Sequence, residues 1–424
     1  MLRTGRGAIR ARRPRVGALV VAAALALTVS GAARAGNSGQ DFGLIERGRY
    51  LTVAGDCAGC HTRPGGPEFA GGRPIATPFG DVVAPNITPD EATGIGAWSD
   101  DDFVRAMTKG VRRDGAHLFP AMPYPYYTKV TRDDLLAIRA YLATVPAIHN
   151  EVQANQLPFP LKARAEMAGW NKLFFTPGEF RPVPGKSDVW NRGAYLAEGL
   201  MHCGACHTPK NLAGADKDGE KFQGSPLQGW FAPDLTNDAR RGLGAWSVDD
   251  VVLYLKTGHN RFAAETGPMA EEIAASSSKI SDADLRAVAT WFKDQPAPKE
   301  DSVLATAGDD PAMKTGARIY ADECSACHTP RGEGIPGLFP PLAGAPGVQS
   351  INPASAIRVV LTGTRGVATE AAPTAPGMPA FGWLLDDREA AAVLTYIRNA
   401  WGNAAPKVTA KDIANHRAAL AKAN

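Results

Sequence analysis

The sequence predicts an all-α protein of three tandem units, and three observations carry that reading. The motif Cys-x-x-Cys-His occurs three times, as Cys57-Ala58-Gly59-Cys60-His61, Cys203-Gly204-Ala205-Cys206-His207 and Cys324-Ser325-Ala326-Cys327-His328. A glycine with a tyrosine shortly after it precedes each copy, as Gly48 and Tyr50, Gly193 and Tyr195, and Gly316 and Tyr320. Each unit then closes on an amphipathic stretch with a marked helix start. The 424 residues suit about three domains of ordinary size.

The first 35 residues read as a secretory signal peptide. Arg3 to Arg15 form a basic region, Val16 to Val29 is almost wholly apolar, and Ala33-Arg34-Ala35 fits a small-x-small cleavage site. The apolar run is short for a membrane span. Export leaves a mature chain starting near Gly36 and places it in the periplasm. The segment carries seven of the 46 basic residues and no acid, which leaves 39 basic against 43 acidic residues, a net −4. That balance provides no electrostatic footprint for nucleic acid.

Residues 36–150 form the first unit. Arg47-Gly48-Arg49-Tyr50-Leu51 leads into its motif, and Gly94-Ile95-Gly96-Ala97-Trp98-Ser99 opens a helix that ends at Gly110. Thr131 then caps a helix with Asp133 and Asp134 in its first turn and Leu135, Ile138, Tyr141 and Leu142 on one face. Residues 151–185 join the units through an apolar stretch, Leu161 to Phe175, read as packing between domains or as a membrane or partner contact.

The second unit, 186–299, repeats the first: Arg192-Gly193-Ala194-Tyr195-Leu196, then Gly242-Leu243-Gly244-Ala245-Trp246-Ser247, a helix to Gly258, and a closing helix capped by Ser281. Duplication explains the match economically. The third unit, 300–403, keeps Gly316-Ala317-Arg318-Ile319-Tyr320 and a closing helix from Asp386, without the Gly-x-Gly-Ala-Trp segment. Gly48, Gly193 and Gly316 are expected to let Tyr141, Trp291 and Tyr396 approach a helix backbone. The tail, 404–424, has few large apolar residues: Val408, Ile413 and Leu420. That makes a weak membrane face.

All six cysteines fall in the three motifs. In c-type attachment each thiol adds to a porphyrin vinyl group, and the adjoining histidine ligates iron. This assigns three covalently bound haem c groups to Cys57, Cys60, Cys203, Cys206, Cys324 and Cys327, with His61, His207 and His328 on iron. A redox dithiol or a zinc site would account for one such motif, but three copies with no cysteine left over favour haem.

With helix, motif, loop and closing helix in place, each unit resembles the class I cytochrome c fold. That resemblance implies a distal methionine in the loop before the last helix. The candidates are Met122, Met269 and Met378, each flanked by proline or glycine. His117 is the rival in the first unit. Met107, Met167 and Met313 read as fillers, Met201 lies too near its own motif, and His149, His202, His259 and His416 read as ordinary surface or loop residues. A thioether opposite histidine raises the potential and fills the sixth position.

From about Glu46 to Trp401 the order of motifs is similar to the tri-haem cytochrome c subunit of bacterial membrane-bound dehydrogenases of alcohols, gluconate and other sugars. The matching stretches include Ala84-Pro85-Asn86-Ile87-Thr88-Pro89-Asp90, Pro120-Ala121-Met122-Pro123-Tyr124 and Gly377-Met378-Pro379-Ala380-Phe381. Similar chains accompany molybdenum hydroxylases. The resemblance implies an electron-transfer subunit, not catalytic alone, that takes electrons from a catalytic dehydrogenase subunit and delivers them to ubiquinone or a terminal oxidase, with peripheral membrane contact. It also makes Trp98 and Trp246 candidates to face haem propionates, against a core role at a helix start. The alternatives are a haem enzyme such as a peroxidase, and a free-standing periplasmic carrier.

Overall fold

The computed structural model describes residues 41–159, 161, 163–298 and 305–423. The export segment read at 1–35 lies outside the described residues.

Helices dominate, and their ends follow the expected chemistry. Ser99 and Ser247 each form a reciprocal capping box, with Asp102 and Asp250, at the start of helices Asp100–Lys109 and Val248–Thr257. Gly110 and Gly258 end those helices at φ 61° and 79°, a left-handed geometry that costs glycine little. Thr131 and Ser281 cap the closing helices Arg132–Leu142 and Asp282–Lys293 by accepting from the backbone N–H of Asp134 and Asp284. Asp386 caps Asp387–Ile397 with Glu389 reaching back.

Each opening helix crosses a closing helix at the expected glycine. A Cβ at Gly48 would lie 1.9 Å from the Ala137 carbonyl oxygen and 3.0 Å from Tyr141 Cβ; at Gly193, 1.9 Å from the Ala287 oxygen and 2.9 Å from Trp291 Cβ. At Gly316 the values are 2.2 Å from the Ala392 oxygen and 2.6 Å from Tyr396 Cβ. The absent side chain thus sets the helix spacing, and the aromatic ring closes over the crossing.

Three two-stranded antiparallel ribbons, which an all-helical reading omits, occur among the described residues: Pro74–Thr77 with Gly80–Val83, Ser225–Leu227 with Trp230–Ala232, and Thr364–Arg365 with Gly377–Met378. The second turns through Gln228 and Gly229, both at positive φ, the conformation tight hairpins require. These strands are too short to register as an alternating pattern.

Two apolar cores occur among the described residues, not one per motif. The first runs from Leu51 to Phe292 and takes in both of the first two repeats. The second runs from Ile319 to Ile413. The first two repeats meet through a reciprocal, two-fold-like contact. Tyr50 donates to Asp284 at 2.7 Å and accepts from the Ser281 N–H at 3.2 Å, both at the closing helix of the second repeat. Its counterpart Tyr195 donates to Asp134 at 2.5 Å and accepts from the Thr131 N–H at 3.2 Å, at the closing helix of the first. Arg47 pairs with Asp134, which is buried, and Arg192 with Asp284, which is half-buried, so each carboxylate keeps its charge compensated.

The third repeat docks on the second ribbon. Ser355 bonds both the N–H and the carbonyl of Phe231, and the Arg358 guanidinium lies 5.0 Å over the Trp230 ring. The tail does not stand free. Helix Ala410–Ala423 packs on the second core, which buries Val408 and Ile413 and holds Leu420 against it. Arg417 fastens it to Asp387 and to the carbonyls of Gly382 and Leu385. The apolar residues of the tail, a weak membrane face by sequence, are therefore spent inside the fold. In the joining segment, helix Glu166–Phe174 packs through Trp170 and Asn171, which bond Ala213 and Tyr124, while Leu173 and Phe174 stay exposed. No helix among the described residues is long and apolar enough to cross a membrane.

Candidate haem sites

The three motifs adopt one local geometry. Each is a single helical turn, Cys57–His61, Gly204–His207 and Ser325–His328 with Cys203 and Cys324 at the start of the last two, so both cysteines and the histidine project from one short element. Asp56 and His202, the residues just before the first two motifs, sit at φ 46° and 38°. That left-handed kink turns the chain sharply from the opening helix into the motif. The third motif lacks it, because helix Pro311–Glu323 runs directly into Cys324.

Each motif histidine is aimed the same way. His61 Nδ1 lies 2.7 Å from the Pro85 carbonyl oxygen, His207 Nδ1 2.8 Å from that of Pro233, and His328 Nδ1 3.0 Å from that of Pro340. A carbonyl only accepts, so Nδ1 carries the proton and Nε2 presents its lone pair. Burial holds all three imidazoles below the usual histidine range, His207 at about 4, so they are neutral at physiological pH. A neutral imidazole with its far nitrogen hydrogen-bonded is the state a metal requires.

These prolines are site residues that motif reading missed. The signal was present for two of them: Val83-Ala84-Pro85 and Phe231-Ala232-Pro233 stand at corresponding places, each leaving a ribbon. The turn just beyond each proline fixes its carbonyl. Asn86 and Asp234 accept from the N–H of Thr88 and Thr236, bending the chain there. The Gly-x-Gly segment then closes on that turn, where a Cβ at Gly94 or Gly242 would lie 2.2 Å or 2.4 Å from the carbonyl oxygen of Thr88 or Thr236. The repeated glycines thus support the histidine-orienting turn.

No two of the six cysteines are joined by a disulfide. Burial pushes Cys57 up to about 12 and Cys60 and Cys324 to about 11, and raises Cys203 and Cys206 as well. Redox dithiols and zinc ligands need the opposite, a stabilised thiolate. In the second repeat Trp246 is buried, stacked on Phe262 at 5.3 Å between centroids, and its indole N–H has no hydrogen-bond partner. A buried orphan donor calls for an acceptor that the chain does not supply, and this fits a prosthetic group bearing carboxylates. Trp98 is half-buried against the first core.

The methionines occupy three different settings. Met122 packs half-buried on the core that also holds Cys57 and Cys203, and Met378 on the core that holds Cys324, at the end of the third ribbon. Met269 is not in a loop: Gly267 at φ 67° and Pro268 start a helix there, Pro268–Ala275, which packs against Cys57–His61 of the other repeat. Met107, Met201 and Met313 are core residues. His117 is engaged by the joining segment, its ring 3.3 Å from Asn171 Nδ2 and its carbonyl bonded by Arg164. His202 is no ordinary surface residue, since it lies between the first two repeats with Nε2 3.3 Å from the Gly55 carbonyl and its ring against Tyr127.

The cytochrome c family profile matches residues 45–146 and 313–401, which contain the first and third motifs. The chain is 42% identical over 412 residues to the gluconate 2-dehydrogenase cytochrome c subunit of Pantoea cypripedii, spanning 92% of this chain and 93% of that one. It is 38% identical over 418 residues to the cytochrome c subunit of the quinone-type alcohol dehydrogenase of Gluconobacter oxydans, covering 93% and 86%. With the fructose dehydrogenase cytochrome subunit of Gluconobacter japonicus the identity is 35% over 406 residues, covering 88% and 82%.

Proposed function

The chain belongs to the cytochrome c family, as a c-type electron-transfer protein, and from that premise we propose that it is the three-haem subunit of a dehydrogenase complex. It comprises three tandem cytochrome c units, each carrying one covalent haem c. The observation that carries this reading is the threefold recurrence of one arrangement: a Cys-x-x-Cys-His turn whose histidine is tied by Nδ1 to a proline carbonyl. Cys57 and Cys60, Cys203 and Cys206, and Cys324 and Cys327 form the thioether links. His61, His207 and His328 would hold iron, together with Met122, Met269 and Met378.

Haem iron so held supplies a one-electron couple, raised in potential by methionine relative to a second histidine. The chain's own residues do the rest. Pro85, Pro233 and Pro340 keep each imidazole in one tautomer and one orientation, which limits rearrangement on electron transfer. The apolar cores against which Cys57, Cys203 and Cys324 pack keep water from one side of each site and so disfavour the more charged oxidation state. Electrons come from a partner subunit that oxidises an alcohol, sugar or sugar acid, and leave to ubiquinone or a terminal oxidase. The basic, then apolar, start of the chain supports export and a periplasmic location, with contact at the outer face of the inner membrane.

The purified chain should oxidise none of these substrates alone, yet be reduced within the mixing time of a rapid-kinetics experiment when its dehydrogenase subunit and substrate are added. Substrate turnover by the chain alone with an artificial acceptor would refute the assignment. Met122→Ala, Met269→Ala and Met378→Ala should each remove one methionine-ligated low-spin signal and lower one potential in a spectroelectrochemical titration. An unchanged spectrum would reassign that ligand.

A further inference from the structure

The contact between the first two repeats includes two charged bridges that run crosswise. Arg73 donates through Nη1 to the Gly59 carbonyl, inside the first motif, at 2.7 Å, and through Nη2 to Glu271 at 2.6 Å. Glu271 lies two residues beyond Met269, in the helix that packs on Cys57–His61. Lys210 donates to the Gly204 carbonyl, inside the second motif, at 3.1 Å, and pairs with Asp216 at 2.5 Å. Asp216 in turn accepts from the hydroxyl of Tyr126, four residues beyond Met122. The Tyr126 ring sits directly on this motif, 2.9 Å from where a Cβ on Gly204 would be.

Each of these two motif helices thus carries a cation on one of its carbonyls, and each cation leads through an acid to the segment bearing the other repeat's methionine. The second bridge required extra chain. Thr62 and Phe69 are bonded across seven residues after the first motif, whereas the corresponding Thr208 and Phe222 are bonded across 14. Lys210 and Asp216 lie in that longer loop. Among the described residues, no side-chain cation bonds a carbonyl of the third motif.

We propose that Arg73–Glu271 and Lys210–Asp216–Tyr126 are positioning devices, through which each of the first two units holds the other's methionine-bearing segment against its iron. Redox tuning of the first two sites is therefore mutual, while the third is independent. The proposal rests on the ligation by Met122 and Met269 given above. It differs from a stability role, because both bridges are partly open to solvent and such pairs contribute little to folding.

The test uses the full matured chain. Each titrating site is identified as the one whose methionine–iron signal disappears in Met122→Ala, Met269→Ala or Met378→Ala. Glu271→Gln should weaken the signal of the Met269 site and shift its oxidised-to-reduced equilibrium about threefold toward oxidised. Asp216→Asn should do the same at the Met122 site, Lys210→Arg should keep wild-type behaviour, and the Met378 site should not move in any of them. The sign is informative, since removing a negative charge alone would favour the reduced state. A shift toward reduced, no shift, or a shift confined to the site on the cation's own side of the bridge would overturn the proposal. If Met269→Ala itself leaves every signal in place, the ligand assignment fails instead; if it removes one while Glu271→Gln changes nothing, only the bridge fails.

Discussion

Gly193→Ala should destabilise the first core by about 3 kcal/mol or more, the upper end of what overpacking costs, and leave little matured protein at the growth temperature. The added methyl would sit 1.9 Å from the Ala287 carbonyl oxygen and 2.5 Å from its carbonyl carbon. Both are helix backbone, so no rotamer change relieves the clash, and the two helices must part. Trp291, packed edge-on to Phe222 at 5.4 Å and buried, would lose contacts on the same movement. Against a total stability of roughly 5–15 kcal/mol for a domain, that is a large share.

Location makes the prediction sharper. Gly316→Ala meets the Ala392 oxygen at 2.2 Å but lies at the second core, so thermal unfolding of the two variants should lower different transitions. Gly169→Ala is the control: it stands in helix Glu166–Phe174 with nothing within 4 Å of the added atom. It should leave stability unchanged or raise it by about 0.5–1 kcal/mol. Equal losses in all three variants, measured by calorimetry, would remove the helix-crossing argument.

The three crossing glycines and the helix caps were legible because their causes are local. A hydroxyl three residues before an acid, or a missing side chain on an amphipathic face, announces its role within one or two turns of chain. The haem motifs were legible for the same reason, since both thiols and the imidazole lie within five residues. The partners of those groups were not. Nothing near His328 points to Pro340, and nothing near Lys210 points to Tyr126, which precedes it by 84 positions. Fusion of the first two repeats into one core was hidden as well: Tyr50 and Tyr195 have the spacing of ordinary core residues, and only the folded chain shows their hydroxyls on the helix caps of the opposite repeat. The packing of the tail was hidden because its apolar residues are sparse, poor for lipid, yet sufficient to cover one edge of a protein core.

Intact-mass measurement of the mature chain should show an excess of three haems that survives denaturation. Adding a thiol S–H across a vinyl double bond expels no atoms, so each haem contributes its whole mass, and two such bonds per group hold it through unfolding. Replacing both Cys203 and Cys206 by serine should leave two. The second motif provides the sharpest test, because it lies outside the residues matched by the family profile while its histidine is the most strongly neutralised of the three, at about 4, by burial and despite the Pro233 hydrogen bond. Its sulfurs are poorly suited to other chemistry as well: burial raises both thiols, so neither a reactive dithiol nor a zinc thiolate forms readily there. A two-haem mass for fully matured wild-type protein would leave a buried, tautomer-locked histidine between two inert thiols with nothing to bind, and would overturn the three-site assignment.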